Sequence, residues 1–221
     1  MPIMNTQINW RTKTEMIYST LREAIVSGDI KTGEKIVLSK VASDLGVSPS
    51  PVREAIKQLA AEGLIDLTAH TEAVVSRLSE KDFREFTEIR VILESEATKC
   101  ATKQVTPEFI AKLEDILAKM QECVDQEDSK RYGVLNREFH ETIYESCGNE
   151  QLTKLIDSIT VRTDRARAVF SYDYSRLMES FQEHQDIVEA IKAGQAEKAG
   201  DIVATQTRAG LESYLKHSLN Q

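Results

Sequence analysis

Apolar residues recur at spacings of three and four along most of this chain, and the breaks in that rhythm divide it into short segments. In KTEMIYSTLREAIVSGDI, Met16, Ile17, Leu21, Ala24 and Ile25 fall on one helical face, and Gly28 follows as a stop signal. Gly33 turns the chain in KTGEKIVLS, where Lys35 to Leu38 is long enough only for a small strand or an extended lead-in. Ser39 is the expected cap of a short helix, SKVASDLG, which Gly46 ends. Ser48, with Pro49 at the first helical position, opens another helix through PSPVREAIKQLAAEG to Gly63. LIDLT and AVVSRL then alternate as two β-branched stretches separated by AHTE, a hairpin length.

From Ser79 onward the period is helical throughout. Glu80 to Lys103 carries Phe83, Phe86, Ile89, Leu93 and Ala97 at helical spacing, and Thr106 with Pro107 opens a second helix to about Asp125. Further helices are predicted over Asp128 to Ser146, Asn149 to about Phe170, Tyr174 to Ala193 and Ala196 to Ser218, with Gly148 and Gly194 between them. The expected fold is therefore mainly α: a winged helix-turn-helix over residues 1–78, then an all-helical antiparallel bundle over 79–221.

In a winged helix-turn-helix the start of the second helix of the pair enters the major groove. That helix offers Ser48, Ser50, Arg53 and Lys57; Ser39 and Lys40 of the preceding helix and His70 and Thr71 of the wing complete the candidate DNA contacts. The competing expectation is that Arg53 pairs with Glu54 or Glu23 on an ordinary surface helix. Charge alters the picture only once it is located. The net charge of -8 argues against phosphate binding, yet residues 1–78 hold 9 basic and 9 acidic residues, so the whole deficit lies in the bundle.

Three cysteines, Cys100, Cys123 and Cys147, without CxxC spacing point to packed thiols rather than a disulfide framework or zinc ribbon. The N-terminus lacks an apolar leader and no apolar run spans a bilayer, so a cytoplasmic location is expected. No spacing of a Ser-His, Cys-His or paired-carboxylate arrangement is recognisable, and the chain is expected not to be an enzyme. The alternatives are a metal-dependent enzyme or a protein-binding scaffold on a helical bundle. Asn136 and His140 lie one turn apart in NREFH, which leaves three readings: a metal site, the remnant of one, or two polar residues on a helix.

GVSPSPVREAIKQLAAEGLI resembles the recognition-helix signature of the GntR family of bacterial transcription regulators, and IVSGDIKTGEKI the stretch before it. EIRVILESEA, FHETIYESCGN and EHQDIVEAIKAGQAEKA are similar to the FadR-like branch, with its all-helical FCD effector-binding domain. The resemblance implies a homodimer on a short palindromic operator, with DNA affinity set by a small metabolite in the bundle. Ser48 and Arg53 match the family's DNA-contacting positions, but a second family arginine is Pro49 here. Proline offers no donor to a guanine edge, so relatives' operators do not transfer. Glu72 stands where many relatives have a wing glycine, which implies a weaker wing contact.

Many FCD domains hold a divalent metal on positions that match Asn136, His140, His184 and Gln206. The resemblance thus implies either a weakened transition-metal site, for zinc, nickel or copper on His140, His184 and Asn136, or a pocket that hydrogen-bonds the effector directly. It also implies a carboxylate or similar small anion as effector, with Arg90 at the inward-facing position and Arg162, alongside Arg165, as further candidates.

Overall fold

The computed structural model describes residues 12–67, 72–163 and 174–218, which fall in two compact units, Met1–Arg77 and Leu78–Gln221. In the first, α1 (Lys13–Ser27) starts from a capping box in which the Thr12 hydroxyl accepts from Glu15 N and the Glu15 carboxylate accepts from Thr12 N. It ends at Gly28 in the left-handed region. Then follow β1 (Lys35–Ile36), α2 (Leu38–Asp44), α3 (Pro49–Ala61), β2 (Ile65–Leu67) and β3 (Ala73–Val75). The expected hairpin gains a third strand: the antiparallel order is β1-β3-β2, with Ile36 opposite Ala73 and Ile65 opposite Val75. Gly33 makes this possible, since its φ is +80° and a Cβ there would sit 2.5 Å from the Arg77 guanidinium. Ile17, Leu21 and Ile25 of α1 are buried, as are Val52, Ala55, Ile56 and Leu59 of α3, and α1 packs on α3.

Two capping expectations need correction. Ser39 is not the cap of α2: the N-cap is Val37, the helix begins at Leu38, and Ser39 lies exposed in its first turn. Ser48 does hold the N-cap position of α3 with extended backbone, but its hydroxyl makes no capping bond. Pro49 at the first helical position removes one of the amides that such a cap would otherwise help satisfy.

The second unit is a bundle of α4 (Glu80–Thr102), α5 (Pro107–Asp125), α6 (Ser129–Glu145), α7 (Glu150–Thr163), α8 (Tyr174–Lys192) and α9 (Ala196–Ser218). Ser79 and Asp82 form the capping box of α4, and the Ser79 hydrogen bonds hold the Asp82 carboxyl below its ordinary pKa. Asp128 caps α6 through Arg131 N. The last part of the helix expected from Asn149 to Phe170 lies outside the described residues, where α7 stops at Thr163. Phe109, Leu113, Ile116 and Met120 of α5 meet Tyr132, Phe139 and Ile143 of α6 and Leu177, Ile187 and Ile191 of α8 in one core. Cys123 and Cys147 are buried free thiols and Cys100 is half-buried; burial raises the Cys123 thiol pKa.

α4 and α9 make the most extensive helix pair, and Gly200 lets them close. A Cβ at Gly200 would stand 2.7 Å from Lys99 Cε and 2.8 Å from Ser95 Oγ of α4. A mid-helix glycine costs about 1 kcal/mol against alanine, so close approach is what this residue provides. The Lys99–Glu197 ion pair at 2.6 Å fastens the same crossing. No helix among the described residues is long and apolar enough to cross a membrane.

Leu59, with no exposed surface in the winged unit, is the residue whose truncation isolates that unit's core. Leu59→Ala is expected to destabilise it by about 2–5 kcal/mol, read as a loss of the α1, α3 and strand amides' exchange protection while α4–α9 stay protected.

Candidate functional site

In the winged unit, the leading side chains of α3 are turned to solvent. Ser48, Ser50, Arg53 and Lys57 are all exposed, and so are Ser39 and Lys40 of α2. Arg53 forms no ion pair among the described residues, because Glu54 is held by Lys57 at 2.9 Å. The alternative in which Arg53 pairs with Glu54 or Glu23 is not what the side chains do. A shallow concavity of about 410 Å3 runs between Ser39, Pro49, Arg53 and the β1–β3 edge. At that edge Glu72 pairs with Lys35 at 2.8 Å, which offsets the acidic wing charge locally. His70 and Thr71 lie outside the described residues.

The bundle contains a second polar concentration. A cavity of about 70 Å3 is lined by Thr87, Arg90 and Glu94 of α4, Asn136 and His140 of α6, Arg176 and Ser180 of α8, and Gln206 and Thr207 of α9. Most of these groups are deeply buried: Glu94 is 1% exposed, Arg176 5% and Asn136 6%. Arg90 donates from Nε to Glu94 Oε1 at 2.6 Å and from Nη1 to Thr163 Oγ1 at 3.0 Å. Thr207 donates its hydroxyl to the other Glu94 oxygen at 2.9 Å, tying α9 to α4. Arg176 forks onto Glu183, at 3.1 and 2.8 Å.

His184 lies one turn beyond Ser180 on α8 and is fully buried. Its Nδ1 meets the Ser180 carbonyl, an acceptor, so Nδ1 carries the proton and Nε2 the lone pair. The His140 and His184 ring centroids are 5.1 Å apart, and Phe139 packs edge-on against both. His140 Nδ1 lies 3.4 Å from the Tyr144 hydroxyl. The Gln206 amide lies 3.3 Å from His184 Nδ1, and a protonated Nδ1 there is met by the amide oxygen rather than its nitrogen. Asn136 is buried on the same wall of the cavity. Burial pushes the Tyr132 phenol well above its ordinary pKa, so it stays protonated.

Arg90, Asn136, His140, His184 and Gln206 are thus brought to one place. Arg162 is not among the cavity's lining: its guanidinium lies over the Phe86 ring, 5.4 Å from the centroid, and Thr163 faces Arg90 instead. Arg165 lies outside the described residues. Glu94 and Arg176 were not singled out in the sequence. The signal for Arg176 was available, since Arg176, Ser180 and His184 repeat every fourth residue on one face of α8. Among the described residues, no group of three His, Cys, Asp or Glu side chains converges as a metal site would require.

An exposed recognition helix before a three-stranded wing, followed by a bundle with a buried polar cavity, defines a DNA-binding regulator with a ligand-sensing domain. The family model described as "Bacterial regulatory proteins, gntR family" matches residues 13–70, and the one described as "FCD domain" matches residues 85–208. This chain belongs to the GntR family of transcription regulators and carries an FCD domain. The HTH-type transcriptional regulator YdhC of Bacillus subtilis is 28% identical over 206 residues, covering 92% of this chain and 91% of that protein. The gluconate operon transcriptional repressor of Bacillus licheniformis is 31% identical over 180 residues, covering 78% of this chain and 72% of the repressor. The structure of E. coli McbR/YncC matches with a TM-score of 0.85 at 22% identity, covering 94% of this chain and 99% of that one, a likeness of fold.

Arg90 and Glu94 form the pair most sensitive to truncation. Arg90→Ala is expected to lower the bundle's unfolding free energy by about 3 kcal/mol, because Glu94 then remains buried without its cation. Arg90→Lys should recover part of it, as equilibrium urea unfolding would register.

Proposed function

We propose that this regulator binds a two-part operator as a homodimer and adjusts its grip when a small carboxylate enters the cavity between α4, α6, α8 and α9. The observation that carries this reading is the cost of the cavity itself. Buried ion pairs are often replaceable by apolar residues at no loss of stability, yet here Arg90, Glu94, Arg176, Asn136, His184 and Gln206 all interrupt one helical core. Binding a charged, hydrogen-bonding ligand accounts for such a cluster, since guanidinium forks match a carboxylate with two parallel donors. The operon named for the Bacillus licheniformis relative handles a sugar acid, which has the same chemistry.

The cavity's size supports the coupling. About 70 Å3 holds roughly two water volumes, so an organic acid enters only as helices or side chains move apart. A ligand that prefers the expanded arrangement shifts the population toward it. A coupling of about 1–3 kcal/mol changes operator occupancy by roughly 5- to 150-fold. α9 is tied to α4 through Thr207 and Glu94, so expansion of the cavity would act first on that pair.

On the DNA side, Arg53 and the Ser48 and Ser50 hydroxyls would read base edges or phosphates, with Lys57, Ser39 and Lys40 flanking them. The dimer reading is supported by Ile89 and Ile92, one turn apart on α4 and 43% and 68% exposed. The relatives are named as transcription regulators, which favours this reading over a metal-dependent enzyme.

Arg53→Ala is expected to abolish specific retardation of the intergenic DNA beside the coding gene while leaving the folded oligomer intact; unchanged operator affinity would mean that α3 is not the reading helix. Ile92→Asp should shift the sedimenting species from dimer to monomer, and an unaltered dimer would place the interface elsewhere.

A further inference from the structure

The cationic side chains that line the cavity are both guanidiniums, and each is ion-paired here, Arg90 with Glu94 and Arg176 with Glu183, so an entering carboxylate would compete for forks that internal carboxylates now hold. Two guanidiniums, Arg90 and Arg176, line the same space as the amides of Asn136 and Gln206. His140 and His184 are the imidazoles at this site, their ring centroids 5.1 Å apart, and both amides are neutral oxygen donors. The carboxylate that lines the cavity, Glu94, is engaged by Arg90 at 2.6 Å and by Thr207 at 2.9 Å, and Glu183 is held by Arg176. Drawing either onto a metal would strand a guanidinium in a buried site, beside a dication of the same sign.

Resting on the effector reading above, we infer that this FCD cavity takes its anion without a metal. Arg176 and Arg90 supply the positive charge, and the Asn136 and Gln206 amides supply hydrogen bonds to the ligand's remaining polar atoms. The Asn136 and Gln206 amides both line the cavity and can each donate and accept, which fits that division of labour. The ligand class follows: a small carboxylate that also carries hydrogen-bond donors, because the cavity offers acceptors beside its cations.

Calorimetric titration of zinc chloride into the full chain, wild type and Asn136→Asp/Gln206→His, tests the metal half. The inference expects no stoichiometric uptake by the wild type and clear uptake by the double variant, which restores a carboxylate and a third imidazole. One zinc per chain in the wild type overturns it. A folded double variant that also fails to take zinc overturns the argument that these two positions decide the matter. In a second arm, melting temperatures are measured with citrate, succinate, lactate and gluconate, with and without EDTA. An acid that stabilises equally in both conditions, and more than tenfold less tightly in Arg176→Gln, supports the two-guanidinium site, one lost charge-assisted fork being worth about 10- to 100-fold. Stabilisation that EDTA removes, or that Arg176→Gln leaves untouched, contradicts it. If none of the four acids stabilises the protein, the effector reading loses its support, and the zinc titration alone decides the metal question.

Discussion

The carboxylate of Glu94 sits almost wholly out of water, held by Arg90 from its own helix and by Thr207 from α9. A buried charge is tolerable only where partners meet it, and here the partners come from different helices, so the charge dictates how α4 and α9 are joined. Gly200 permits the close crossing on the same pair, and Lys99 to Glu197 fastens its outer edge. The consequence is a seam that is both the most extensive helix pair described in the bundle and one wall of its cavity. A ligand that competes for Arg90 therefore acts on the element that organises the domain.

The winged unit solves a different problem. Its core is small and apolar, with α1 packed on α3; in the first turn of α3 Val52 is buried in that core while Ser48 and Ser50 face solvent. Ser48 makes no capping bond, Pro49 has no amide hydrogen to satisfy, and Arg53 is without an ion pair among the described residues. Ser48, Ser50 and Arg53 are therefore open to an external acceptor. The neutral overall charge of this region is no obstacle, because Lys57 neutralises Glu54 and Lys35 neutralises Glu72 close to where each acid stands.

Much of this was legible in the chain. Helix periods, capping residues and glycine stops gave α1 and α3–α9 to within a few residues at the described ends, because each rests on local signals such as Ser79 with Asp82 or Thr106 before Pro107. β1 was marginal, since two residues carry no period and only pairing with β3 makes them a strand. Ser39 misled because a serine before an apolar run resembles a cap, while Val37 holds the position without a side-chain bond. At the cavity, family resemblance led to the two histidines and the two amides. It did not lead to Glu94, which reads in EIRVILESEA as one more solvent-facing glutamate. Its burial depends on Thr207, 113 residues away, and no local pattern carries that. Arg176 was recoverable from its four-residue spacing to Ser180 and His184, whereas Arg162, on the expected face, stacks on Phe86 because the geometry of α7 favours Thr163 at that point.

The central claim is that the buried polar cluster between α4, α6, α8 and α9 is where a small acid is sensed. Hydrogen exchange with mass spectrometry, run with and without an acid that stabilises the protein, addresses it most directly. The account predicts that changed protection concentrates in peptides from Glu80–Thr102, Ser129–Glu145, Tyr174–Lys192 and Ala196–Ser218. Changes confined to α5 or to the winged unit, with those four helices unaffected, would contradict it.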